Sequence, residues 1–158
     1  MESAYHEAGH AVVATLLGGT VLHVTIDPSS LDFPGRDGDV SVAWAHSKFN
    51  ASELLRCQLL TTLAGPAAEM NYIGEPLHPA TVAQWQEDWR MAEQLVAQSR
   101  IQPARRGRLL EQMCGELFQR LGEPDLWQAI AEVADLLDAH ESLEGEEVRD
   151  VTKRWITG

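Results

Sequence analysis

The sequence predicts a mainly α domain with a small β-hairpin inserted after its first helix. Two observations carry that expectation. Helix punctuation recurs along most of the chain: Asn50 with Glu53 three residues on makes a capping box, and Pro103 and Pro124 stand as first-turn prolines. Strand-like alternation is confined to two short segments, 21–26 and 39–44. At 158 residues, 44% of them hydrophobic, the chain has enough apolar material for one core, and a single domain over 1–158 is expected.

Ser3 is read as the N-cap of a proline-free helix over 4–17 that Gly18 and Gly19 stop. The β-branched run 21–26 then forms a strand, broken by Asp27-Pro28-Ser29-Ser30. A polar loop containing Pro34-Gly35-Arg36-Asp37-Gly38 leads into the second strand, 39–44, and the two pair antiparallel. A helix runs from Ala51 to about Tyr72, with a kink or break expected at Gly65-Pro66. After a loop through Gly74 and Pro79, Thr81 with Gln84 is expected to cap a helix reaching about Ser99. Two further helices open at Pro103 and Pro124; the second carries Leu126, Ile130, Val133 and Leu137 as an apolar stripe. A last helix covers 146–155, and the basic stretch 100–108 is read as a solvated connection.

Charge and composition narrow the function. A net charge of −12 leaves no basic stripe to neutralise phosphates, so nucleic acid is not an expected partner. Cys57 and Cys114 form no CxxC pair and are expected to be small buried groups on helices. No apolar run approaches the length of a membrane span. The first helix opens almost at Met1, which leaves no room for a secretory signal, and the expected location is cytoplasmic.

Within that first helix stands His6-Glu7-Ala8-Gly9-His10. Histidines four residues apart lie on one helix face with Cβ atoms about 6 Å apart, close enough for both rings to reach one ion. Glu7 emerges beside that ion, where it can take a proton from a bound water. This is the HExxH arrangement of zinc peptidases. The plainer alternative is a chance match, with both histidines ordinary and partly buried.

A catalytic zinc needs a third protein ligand. On the helix after Thr81, Asp88 falls within an apolar arc with Trp85, Met91, Ala92, Leu95 and Val96. A carboxylate there needs a partner, and a metal ion or a buried arginine would each serve. Periodicity does not choose between them. Glu69 competes for the ligand position, or hydrogen-bonds a liganding imidazole and fixes its tautomer. His23, His46, His78 and His140 are isolated and are read as structural.

Several segments together resemble the peptidase domain of the FtsH/paraplegin family of ATP-dependent zinc metallopeptidases. Ala4-Tyr5-His6-Glu7-Ala8-Gly9-His10-Ala11 resembles its active-site helix, and His23-Val24-Thr25-Ile26-Asp27-Pro28 the strand after it. Leu63-Ala64-Gly65-Pro66-Ala67-Ala68-Glu69 is similar to its Ala-Ala-Glu helix. Glu87-Asp88-Trp89-Arg90-Met91-Ala92 falls where the family carries its third ligand. Glu141-Ser142-Leu143-Glu144-Gly145-Glu146-Glu147-Val148 is similar to a stretch near the family domain's end.

The resemblance implies a helical metallopeptidase domain in which His6, His10 and Asp88 bind Zn²⁺ and Glu7 is the general base. Glu69 then supports a ligand rather than binding the ion. The implied activity is endoproteolysis of unfolded or flexible polypeptide, with strand 39–44 as an edge where substrate pairs. The departures are specific. Nothing resembles a P-loop, so a separate ATPase or further copies of the chain are the implied partners. Ala83-Gln84-Trp85-Gln86 replaces the family's Gly-Ala turn, and Pro66 stands in place of its usual arginine. The alternative is a catalytically idle, metal-stabilised binding or regulatory module.

Overall fold

A computed structural model describes residues 1–27 and 38–156, so most of the loop read around Pro34-Gly35 lies outside the described residues. The order is α1 (Glu2–Leu16), β1 (Thr20–Thr25), β2 (Asp39–Ala43), α2 (Ala51–Ile73), α3 (Gln86–Val96), α4 (Pro103–Leu121), α5 (Pro124–His140), β3 (Ser142–Glu144) and α6 (Gly145–Trp155). The expected class holds: the chain is mainly helical with one small antiparallel sheet.

The hairpin pairs as expected, Val24 opposite Val40 and Thr25 opposite Asp39, with an irregularity between Val21 and His23 that leaves Leu22 exposed. The sheet has a third member that the periodicity did not show. β3 pairs antiparallel with the other side of β1, Val24 facing Leu143, so β1 is central and β2 lies at an edge. Three residues are too few to display alternation.

The helices depart from expectation in several places. α1 starts at Glu2 with Met1 as its cap, so Ser3 lies inside the first turn and caps nothing. Glu2 can extend the helix because an acidic side chain suits the positive N-terminal end. Second, of the kink or break expected at Gly65-Pro66, the break does not occur: α2 runs continuously through both residues. Pro66 has no N–H to give the carbonyl four residues back, yet the residue before it is glycine, which has no Cβ to meet the proline ring. Third, 79–85 is two 3₁₀ turns rather than the first turns of α3. The Thr81 hydroxyl donates back to the His78 carbonyl at 2.7 Å instead of capping a helix. The basic residues Arg105, Arg106 and Arg108 lie on α4, not in a connection.

Small residues bring α1 and α2 together. A Cβ on Gly9 would stand 2.5 Å from the Ala64 carbonyl oxygen and 2.6 Å from the Ala68 Cβ, so only glycine permits this approach. α5 closes the other side of α1 with Leu126, Ile130, Val133 and Leu137 all buried, as their spacing predicts. Tyr5 stacks between Tyr72 of α2 and Trp127 of α5, centroids 4.3 and 5.1 Å away. Burying such a ring is worth about 1.5–3 kcal/mol, which fixes α1 in the core. The histidine pair therefore rides on an element held on two sides.

Candidate metal centre

α1 turns the His6 and His10 rings toward a cleft of about 640 Å³ between α1, α2, α3 and the start of β2. Both rings present Nε2 to one carboxylate. His6 Nε2 lies 2.7 Å and His10 Nε2 3.2 Å from the same oxygen, Asp88 Oδ2. All three atoms fall within 4.8 Å of one another, and among the described residues no other group of histidines, cysteines or carboxylates gathers in this way. His23, His46, His78 and His140 take no part.

Each ring is fixed from behind. His6 Nδ1–H donates to Glu69 Oε2 at 2.9 Å, and the buried Trp85 Nε1–H donates to the same oxygen at 2.5 Å. His10 Nδ1–H donates to the Thr61 carbonyl at 2.7 Å. These contacts keep a proton on Nδ1 of each ring, so loss of the second proton leaves the Nε2 lone pair facing the cleft. Glu69 thus supports a ring and is not part of the converging set. Trp85 and the Thr61 carbonyl were not foreseen: the tryptophan read as core, and a backbone oxygen has no sequence signature.

The buried side of α3 is Trp89, Ala92 and Val96, with Asp88 at its margin. Met91, read as part of the same arc, is exposed. Among the described residues no arginine meets Asp88; its partners are the two imidazoles. Burial works against its ionised form, but His10 and His6 together outweigh that and hold the carboxyl well below the usual range. Burial likewise opposes an imidazolium at His6, yet its hydrogen bonds to Asp88 and Glu69 prevail and push it up to about 10. His10 moves upward for the same reason, chiefly through Asp88.

Two further observations bear on whether an ion fits. A Cβ on Gly65 would lie 2.3 Å from His10 Nε2 and 2.8 Å from His6 Nε2, so glycine keeps the space before both donor atoms open. Thr61 Oγ1, in the cleft wall, is buried and has no hydrogen-bond partner among the described residues, so a polar group is available on that wall. Asp88 Oδ2 stands 2.7 and 3.2 Å from the two nitrogens, within the roughly 4 Å that two bonds of about 2.0–2.1 Å can span. The donor set of two imidazoles and one carboxylate is one that zinc takes. The site fits.

Glu7 lines the same cleft and is buried. Burial raises its proton affinity, while His10 and His6 pull the other way. Gly38 presses on it: a Cβ there would stand 2.6 Å from Glu7 Cγ and 2.8 Å from Oε1. Of the two cysteines, Cys114 is buried as expected and Cys57 only half-buried. Among the described residues no helix is long and apolar enough to cross a membrane. Compared with protein-family models and with curated protein sequences, the chain matches none.

Proposed function

We propose that the chain is a zinc-dependent endopeptidase acting on unfolded or flexible polypeptide, related to the FtsH/paraplegin peptidase domain. The observation that carries this reading is the convergence of His6 Nε2, His10 Nε2 and Asp88 Oδ2 beside the buried Glu7. A binding module would need no carboxylate in Glu7's position.

His6, His10 and Asp88 would hold the ion. Bound there, zinc supplies polarisation of the scissile carbonyl and a water acidified to a pKa of about 7. Glu7 accepts the water proton and delivers it to the leaving amine. A base that must keep a proton between two steps is served by burial, which favours its protonated form. Glu69 and the Thr61 carbonyl hold the two rings still while this happens. β2, an edge strand whose Asp39, Val40 and Val42 line the cleft, offers main-chain pairing to an extended segment. A separate ATPase, or further copies of the chain, would supply such segments.

Casein hydrolysis by zinc-loaded protein and by Glu7→Gln tests the reading. The expected result is cleavage by the parent and at least a hundredfold slower cleavage by the variant, at equal zinc content. Equal rates mean that Glu7 is not the base. No cleavage by either, with zinc bound, favours the idle binding module.

A further inference from the structure

The cleft that holds the histidines is strongly one-signed. Among the described residues six carboxylates line it, from Glu2, Glu7, Asp39, Glu69, Glu87 and Asp88, against the guanidinium of Arg90 and the imidazoles of His6 and His10, so carboxylates stay in the majority. The two charges of a bound divalent cation would not reverse this balance. Inside the cleft Asp88 faces the imidazoles and Glu69 faces His6 and Trp85, so their charge is taken up locally. Glu2 and Glu87 are different: both are exposed at the rim, on the two helices that carry the converging ligands. They project field outward from the opening. The whole chain adds to it, at a net charge of −12.

Beside these carboxylates the wall is aliphatic. Met91 is 42% exposed, and it stands four residues after Glu87, on the same face of α3. Val40 and Val42 of β2 line the cleft too. Lysine and arginine side chains suit this pairing, because their methylene stems cover apolar surface while the charged head stays with water and carboxylates. An acidic segment would meet repulsion at the rim and gain nothing from the aliphatic wall. Among the described residues no phenylalanine, tyrosine or tryptophan ring lines the cleft to select a large apolar side chain.

We propose that the cleft selects basic polypeptide segments, with lysine or arginine next to the residues that sit over the metal ligands. Cleavage of the bound segment rests on the endopeptidase reading, whereas its binding rests on the cleft's charge and aliphatic wall. Glu2 and Glu87 are the specificity-determining residues. One-signed clefts of this kind raise the local concentration and association rate of oppositely charged ligands, by an amount that falls steeply with salt.

Two fluorescein-labelled peptides of the same Gly/Ser-rich sequence, differing only in two lysines or two glutamates at the centre, provide the test. Their affinities for Glu7→Gln are measured by anisotropy, with and without one equivalent of zinc. The lysine peptide is expected to bind roughly tenfold tighter at about 0.02 M salt and about threefold at 0.3 M. Glu2→Lys with Glu87→Lys should bring the ratio to within about twofold of unity. Glu116→Lys with Asp138→Lys, an equal charge change on α4 and α5 away from the cleft, should leave most of it. Equal binding of both peptides overturns the proposal. So does an equal loss of preference in the two double variants, which would assign it to net charge. A preference that survives without zinc uptake supports cleft selection while contradicting the metallopeptidase reading, so the two failures are distinguishable.

Discussion

Gly65→Ala separates metal binding from folding more sharply than removal of a ligand. The added methyl carbon would lie 2.3 Å from His10 Nε2 and 2.8 Å from His6 Nε2, where ordinary contacts begin near 3.4 Å. The rings must therefore retreat by roughly 1 Å, about five times the deviation of ~0.2 Å that a metal–ligand distance tolerates. On the stability side, overpacking costs about 1–3 kcal/mol. Alanine's better helix propensity, about 1 kcal/mol, is offset because residue 65 precedes a proline. At about 2–4 °C per kcal/mol for a chain of this size, melting should fall by no more than about 12 °C. Zinc affinity, measured by competition with a fluorescent chelator, should fall at least a hundredfold, or about 2.7 kcal/mol. A variant that melts normally and binds zinc as tightly as the parent would refute the idea that Gly65 keeps the ion's place open.

The same contacts set other outcomes. Glu69→Gln should weaken zinc binding by about 10–100-fold, and Trp85→Phe should weaken it less, because the indole acts on the ion only through Glu69; equal effects in the two would contradict that order. Zinc binding near neutral pH should release protons, since His6 in the metal-free protein keeps its proton up to about pH 10. Calorimetry in buffers of different ionisation enthalpy reads this, and buffer-independent heats would contradict it. Because the His6 value is raised above 6.5, the metal-free fold has that contribution in full below pH 6.5 and loses it as pH rises through about 10. Its melting temperature should therefore drop between pH 7 and pH 10, and a flat profile would count against the buried pair. Gly9→Ala should destabilise by about 1–3 kcal/mol through the Ala64 carbonyl and Ala68, read as an earlier urea midpoint.

Where spacing and punctuation were strong, the fold was legible. The stripe Leu126, Ile130, Val133 and Leu137 is buried, Pro103 and Pro124 begin helices, and the Asn50 side chain accepts from the Glu53 N–H. Boundaries were lost where a local bond competed with the rule, as at Thr81, or where no neighbour forbade another turn, as at Glu2. β3 escaped because it is short and is defined by its pairing with β1. In the site, His6, His10 and Glu7 follow from one helical repeat. Asp88 was ambiguous because periodicity shows a face and not what the face meets. Gly65 was read for what it does to a helix axis, whereas its importance lies in space left empty before two rings of another helix. That kind of information exists only once α1 and α2 are packed.

Metal content tests the account most directly. Protein purified without chelator, analysed by inductively coupled plasma mass spectrometry, should carry about one zinc per chain, and Asp88→Ala should carry little or none after the same preparation. Parent protein that holds no metal and takes up none from excess zinc would contradict the account. So would an Asp88→Ala variant that keeps a full equivalent.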